Sequence, residues 1–438
     1  MVSVLSRPKA RAIAPVIASA GALALLLSGC GAGGGSSAQG SKDFSYLTNV
    51  ENTTIRGELE ALSKDQCAAE NKAAPLKVET VPQTSLDQKL QLLAGQNALP
   101  VQYAAGNAPA LTQDLDKSGN VLDFEKALKD LNISDAILPG AAATIKSLYG
   151  GKLNVLPYQY NVEGIWYNKK LFADNGITEP KTWDDFVAAG EKLKTAGVTP
   201  LAASGKQGWP LTRLVSGYLF SDLGPDAMKK VADGQAKLTD PEYVKAAQAV
   251  ADLGAKGYFG QGVGSIDYDT AASQFLSGKA GMFYMGSWIL SNFDDKAQNK
   301  IGEENIGFMP FPKVSGGKGI DNQYATNVGL PMTFNAKTYD SNASAWLKCI
   351  ATNYGSTALK DKNSISGFKL NTPVDNIPPL VKSTQETVNN TKESVLWFEA
   401  LFSTKATTTS QTNAAGLASG SITPQKFMEL VQNDLNSK

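Results

Sequence analysis

Gly164-Ile165-Trp166-Tyr167-Asn168-Lys169-Lys170-Leu171-Phe172, followed by Pro180-Lys181-Thr182-Trp183-Asp184-Asp185-Phe186, spells out a strand, a short turn and a capped helix in succession. The apolar and aromatic residues from Gly164 to Asn168 are β-prone, and Lys169-Lys170 ends the run. A short amphipathic turn through Leu171 and Phe172 stops at Gly176. Thr182 then stands three residues before Asp185, the spacing of a capping box with Asp in place of Glu or Gln. The helix it opens carries Trp183, Phe186, Val187 and Leu193 on one face and closes at Gly197. Outward from this unit the same alternation recurs. Upstream, the pattern predicts a strand at Phe44 to Val50, a helix from Thr53 to Asn71, a strand at Leu76 to Val81 and a helix from Ser85 to Gly95. Further strands fall near Pro100 to Ala104 and Leu153 to Pro157. Downstream, Asp269 caps a short helix carrying Phe275 and Leu276, Gly278 ends it, and Met282 to Met285 returns to strand. Alternation of this kind predicts an α/β fold with helices on both faces of its sheets.

The N-terminal segment reads as an address. Arg7, Lys9 and Arg11 form a positive region, and Ile13 to Leu27 an apolar run that contains Pro15 and is short for a membrane span. Residues 1–29 are therefore expected to be a secretory signal. Leu27-Ser28-Gly29-Cys30 resembles the bacterial lipobox, which would make Cys30 the lipid-modified first residue of the mature chain, held on the outer face of the cell membrane. Residues 30–42 are expected to form a lipidated flexible tether. Its Gly/Ser-rich part from Gly31 to Lys42 spans about 20 Å as a coil.

Composition narrows the chemistry. The 438 residues are 42% hydrophobic and 19% charged, ordinary for a globular protein, and residues 30–438 are enough for two lobes. Basic and acidic residues number 41 each; without Arg7, Lys9 and Arg11 the balance is 38 against 41. A near-neutral chain without a basic run argues against nucleic acid as a partner. The sequence has no histidine, which excludes Ser-His-Asp and Cys-His nucleophiles and His-ligated zinc. Neither a phosphate-binding glycine loop nor a metal-ligand motif occurs, and no cofactor is expected. With Cys30 assigned to lipid, Cys67 and Cys349 remain, as one disulfide or as two buried thiols.

Taken in order, Gly164 to Phe172, Pro180 to Phe186, Phe275-Leu276-Ser277-Gly278-Lys279-Ala280-Gly281-Met282 and Gly286-Ser287-Trp288 resemble the extracellular solute-binding proteins of carbohydrate ABC importers, the group related to maltose-binding protein. The likeness runs to Gly420-Ser421-Ile422-Thr423-Pro424 before the last helix. It implies a two-lobe α/β fold of the periplasmic-binding-protein type, with a ligand cleft between the lobes and hinge closure around the ligand. The lobes would comprise residues 43–157 plus 327–373 and residues 158–326 plus 374–438. In that arrangement Cys67 and Cys349 both fall in the first lobe, which favours their pairing. The resemblance also implies a carbohydrate ligand, delivery to an importer permease served by a separate ATPase, and a monomer that performs no chemistry.

Sugar binding calls for flat apolar faces to cover C–H surfaces and for hydrogen-bonding side chains to meet hydroxyls. Of the six tryptophans, Trp346 sits at helical spacing with Ala343, Leu347 and Ile350 and reads as core, as do Trp166 and Trp183. Trp288 matches the family position whose ring stacks on sugar. Trp209, in Gly208-Trp209-Pro210, matches another cleft position, and Trp397 resembles the aromatic residue ahead of the C-terminal helix, at a longer spacing than usual. Polar candidates are Tyr158 and Asn161 at the first crossing between lobes, Glu51 and Asn52 after the first strand, Asn107 after another strand end, and Asn327 at the return crossing.

A lipid-anchored glycan hydrolase is the rival reading, since paired carboxylates cleave glycosides without histidine. Asp184-Asp185, Asp267 with Asp269, and Asp294-Asp295 are the available acids. Asp185 and Asp269 are better used as caps. Ser315 with Lys318 and Ser366 with Lys369 match Ser-x-x-Lys but have no accompanying Lys-Thr-Gly.

Overall fold

The computed structural model describes residues 41–106, 109–321, 323–391 and 394–436. The expected signal, Cys30 and nearly all of the tether lie outside the described residues, as does Asn107. The fold is mixed α/β and contains two sheets. Its strands are β1 (Phe44–Asn49), β2 (Leu76–Val81), β3 (Gln102–Ala104), β4 (Asn161–Asn168), β5 (Thr199–Ala202), β6 (Ala280–Gly286), β7 (Ile306–Met309), β8 (Tyr324–Asn327), β9 (Met332–Phe334) and β10 (Ser394–Val395).

The first sheet has the order β2-β1-β3-β9. β1 runs parallel to β2 and β3, and β9 joins antiparallel with Phe334 opposite Gln102. Its helices bury Phe44, Leu47, Ile55, Leu59, Phe124 and Trp346 around Phe334. The Trp346 ring stacks 4.7 Å from Phe44, and its indole N–H donates to the Ala74 carbonyl, so this tryptophan is core as expected.

The second sheet has the order β10-β8-β4-β6-β5, with β7 also paired to β4. Alternation along its strands sends side chains to opposite faces. Ile165, Met282 and Tyr284 enter a core with Phe186, Leu214 and Phe427, whereas Trp166, Phe283 and Met285 enter another with Phe275 and Phe293. The capping box opens the helix Trp183–Thr195: Thr182 Oγ1 accepts from Asp185 N–H, and the Asp185 carboxylate accepts from Thr182 N–H, both at 3.1 Å.

Three segments cross between the sheets and are bonded to one another. Leu156 N–H donates to the Met332 carbonyl, Gly367 N–H to Pro157, and Tyr160 N–H to Ile365. Leu153 to Pro157 is one of these crossings rather than a strand. It makes a single bridge, Leu156 to Met332, and Pro157 has no N–H to extend a ladder.

Two helical expectations are corrected. The first helix breaks into Thr53–Leu62 and Ala68–Ala73, because the Ser63 hydroxyl bonds back to the Glu60 carbonyl and closes the turn. Cys67 sits in the turn between them and forms a disulfide with Cys349 on the helix Ser341–Lys362, with Cα atoms 5.8 Å apart. The helix Tyr268–Leu276 is capped by Asp267, whose carboxylate accepts from Thr270 N–H at 3.0 Å. Asp269 is thereby released from the capping role expected of it. No described helix is long and apolar enough to cross a membrane.

Candidate functional site

A cleft opens where the carboxyl end of β1 faces the helices of the second sheet, and the crossing segments floor it. Asn49, Glu51, Asn52 and Thr54 line it from the first sheet, and Trp397 packs on that sheet's core; Trp209, Arg213, Tyr268, Asp269 and Trp288 line it from the second; Gln159 and Asn327 to Pro331 lie beneath. Ligands of α/β folds commonly bind at such strand ends.

Local backbone geometry presents the tryptophans. Trp209 is the first residue of the helix Trp209–Leu223, and Gly208 before it adopts φ +76°. A Cβ at Gly208 would lie 1.9 Å from the Gln411 carbonyl oxygen, so glycine is required both by the left-handed backbone and by the neighbouring helix. Trp288 occupies a single tight turn after β6, with its ring folded over Gly286, where a Cβ would come within 2.0 Å of Cζ3. The two indole rings meet 5.8 Å apart at 65°. Trp397 arrives from the segment after β10. The Trp209 Nε1 and the Asn49 Oδ1 are buried without a hydrogen-bond partner in the protein. A buried indole N–H normally finds an acceptor, so these two atoms stand unmatched beside the cleft.

Arg213 organises the cleft floor. Its guanidinium carbon lies 5.5 Å from the Trp209 ring centroid and 5.2 Å from that of Trp397. Its Nε donates to Glu163 at 3.0 Å and its Nη1 to Glu399 at 2.8 Å, both carboxylates being fully buried. Glu399 also accepts from the hydroxyls of Thr212 and Ser410. Glu163 accepts from Asn327 Nδ2 at 2.7 Å and from the Tyr284 hydroxyl at 3.4 Å. Burial pushes the Glu163 carboxyl above its ordinary range, with Arg213 opposing the shift. Asp269 is also raised, by desolvation first and by neighbouring Asp267 second.

The sequence-derived candidates divide clearly. Trp209, Trp288, Trp397, Glu51, Asn52 and Asn327 all reach the cleft. Several of these also have structural tasks: Asn52 caps the helix Thr53–Leu62 and donates to Thr48, Glu51 accepts from Gln83 N–H at the start of the helix Gln83–Gly95, and Asn327 anchors Glu163. Tyr158 and Asn161 do not line the cleft. Tyr158 is fully buried, its hydroxyl donates to Gln102 at 2.9 Å, and its ring packs edge-on against Tyr354 and Phe368. Its neighbour Gln159 faces the cleft instead, since side chains of extended backbone alternate. Asn161 is buried at the crossing, where it donates to Asn327 and accepts from Ser287.

Arg213, Glu163 and Glu399 carry no motif and escape a reading by pattern. One signal was present: Arg56 and Arg213 are the only arginines after Arg11, and Arg213 is the only charged residue from Leu211 to Leu219. Of the acids weighed for hydrolysis, Asp185 and Asp267 are occupied as caps, and Asp295 accepts from Ala297 N–H and from Gln298.

Comparison with known proteins agrees with this architecture. Residues 57–355 match the family described as bacterial extracellular solute-binding protein. A probable sugar-binding periplasmic protein of Mesorhizobium japonicum is 33% identical over 211 residues, 46% of this chain and 49% of that protein. The sn-glycerol-3-phosphate-binding periplasmic protein of Pectobacterium atrosepticum is 27% identical over 253 residues, 53% of this chain and 54% of that protein. The chain thus spans about half the length of the curated relatives it matches. A solved chitin oligosaccharide binding protein superposes with a TM-score of 0.78 at 28% identity, covering 89% of this chain and 97% of that one.

Proposed function

Because this chain belongs to the bacterial extracellular solute-binding protein family, we propose that it is a lipid-anchored receptor that captures a sugar or oligosaccharide outside the cell and delivers it to an ABC importer permease. The observation that carries this reading is the convergence of Trp209, Trp288 and Trp397, from three distant segments, on a cleft that also presents amides, hydroxyls and carboxylates. Indole faces cover the C–H surface of a pyranose, and Asn49, Gln159 and Gln411 offer donors and acceptors to its hydroxyls. Glu51 and Asn52 contribute from the cleft edge and Asn327 from its floor, while holding the backbone around it.

In this reading the protein acts as a monomer and performs no chemistry; a separate ATPase powers transport. The lobes are residues 43–157 plus 327–373 and residues 158–326 plus 374–438, closing about the bonded crossings. Cys30 carries the lipid, and the tether that follows holds the receptor near the permease at a raised effective concentration.

Intrinsic tryptophan fluorescence, titrated with a panel of neutral oligosaccharides, tests the binding reading. One member is expected to shift the emission and raise the melting temperature. No response across the panel would overturn it. Cys30→Ala is expected to release the protein into the medium, and retention on the membrane would refute the anchor.

A further inference from the structure

We propose that this cleft selects its ligand by charge, accepting uncharged or amine-bearing sugars and rejecting those that carry a carboxylate or phosphate. The inference rests on the sugar-binding reading and goes beyond it, because it concerns the balance of charge among the lining side chains. Among the described residues that line the cleft, Arg213 is the only Lys or Arg. Its charge is already compensated within the protein. Its Nε and Nη1 are committed to Glu163 and Glu399, and its side chain is only 11% exposed. One guanidinium against two buried carboxylates sums to a negative charge with both acids ionised and to zero with one protonated. An incoming anion therefore meets no net positive charge at the floor.

The edges add negative charge from both sides. Glu51 follows β1 of the first sheet, and Asp269 lies in the first turn of the helix Tyr268–Leu276 of the second. A molecule held in the cleft shares its lining with both carboxylates. Asp269 stands beside Tyr268, whose ring is 6.3 Å from that of Trp209. A carboxylate next to aromatic faces suits an ammonium group through ion pairing and cation–π contact. For an anionic sugar the same groups supply like-charge repulsion, screened by solvent at exposed Asp269 and stronger at half-buried Glu51. The guanidinium, clamped between Trp209 and Trp397, serves to hold two indole faces in place.

The test uses the full-length protein and matched ligands. A neutral oligosaccharide that shifts tryptophan emission is compared with its terminal uronate, its 6-phosphate and its 2-amino counterpart, and sn-glycerol-3-phosphate is included as a small anion. We expect the uronate and phosphate forms to bind at least about tenfold more weakly than the neutral parent. The amine form should bind at least as well as the parent, and added salt should narrow these differences. Asp269→Asn, and Asp269→Asn combined with Glu51→Gln, should reduce the ratio of neutral to acidic affinity severalfold. Equal binding of neutral and acidic forms, or tight binding of sn-glycerol-3-phosphate, overturns charge selection and leaves sugar capture standing. A tenfold difference that neither variant nor salt alters also overturns it, since the rejection would then be steric. Silence from every sugar overturns the binding reading itself.

Discussion

Thr54 Oγ1 and Ser291 Oγ lie 3.0 Å apart, the first on the helix after β1 and the second on the short helix Leu290–Asp294 after β6. This hydroxyl pair bridges the two sides of the cleft directly. A single neutral hydrogen bond contributes about 1 kcal/mol. Thr54→Val or Ser291→Ala is therefore expected to weaken ligand affinity about fivefold by disfavouring the closed state. The melting temperature without ligand should hardly change. Stopped-flow release rates read the effect, and an unchanged rate would detach this pair from closure.

Trp288 and Trp346 should respond oppositely to truncation. Trp288→Ala removes a cleft face and is expected to cost about 2 kcal/mol or more of binding, with the fold retained. Trp346→Ala empties a fully buried site beside Phe44 and should cost about 3–5 kcal/mol of stability. Denaturant unfolding and ligand titration of both variants separate the roles. Equal destabilisation by the two would mean that Trp288 is core as well.

Glu163 gives stability a pH dependence of defined sign. Its folded pKa is raised above the ordinary value of 4.5, so the native state holds the proton more tightly than the unfolded chain does. This contribution is fully present below about 4.5 and is lost as pH rises through the folded pKa. Glu163→Gln should flatten the decline of melting temperature in that window, with Glu399 still neutralising Arg213. A slope identical to that of the parent would assign the decline to other groups. Arg213→Met, by contrast, leaves both carboxylates without their cation and should cost about 3–5 kcal/mol.

The Cys67–Cys349 disulfide links positions 282 residues apart. Cys67→Ser with Cys349→Ser is expected to lower stability by about 2–5 kcal/mol. Melting curves with and without reductant should reproduce the difference for the parent and coincide for the double variant.

Much of this molecule is written in local sequence. The capping box at Thr182 and Asp185 forms as spacing dictates, and the alternation from Phe44 onward yields the two sheets. The misreadings have physical causes. Asp267 and Asp269 are both suitable caps two residues apart, and only backbone geometry chooses between them. Tyr158 and Gln159 differ by one step of alternation, which decides which of them faces the cleft. The Arg213 pairs with Glu163 and Glu399 join residues remote along the chain, and no local pattern reports such a pairing. The three cleft tryptophans were legible through their similarity to a known arrangement, not through any periodicity of their own.

The order of the strands imposes an order of assembly. Five of the six strands of the second sheet lie between Asn161 and Asn327, a continuous stretch. The first sheet begins at Phe44 yet waits for β9 at Met332–Phe334, and its covalent clasp waits for Cys349. The first sheet, begun early, thus cannot cover its β3 edge until β9 arrives, and the second waits later still for β10 and for Phe427. Until the later segment arrives, β3 offers an open edge to any other strand. A chain kept unfolded until β9 can reach β3 is spared pairing of that edge with other strands.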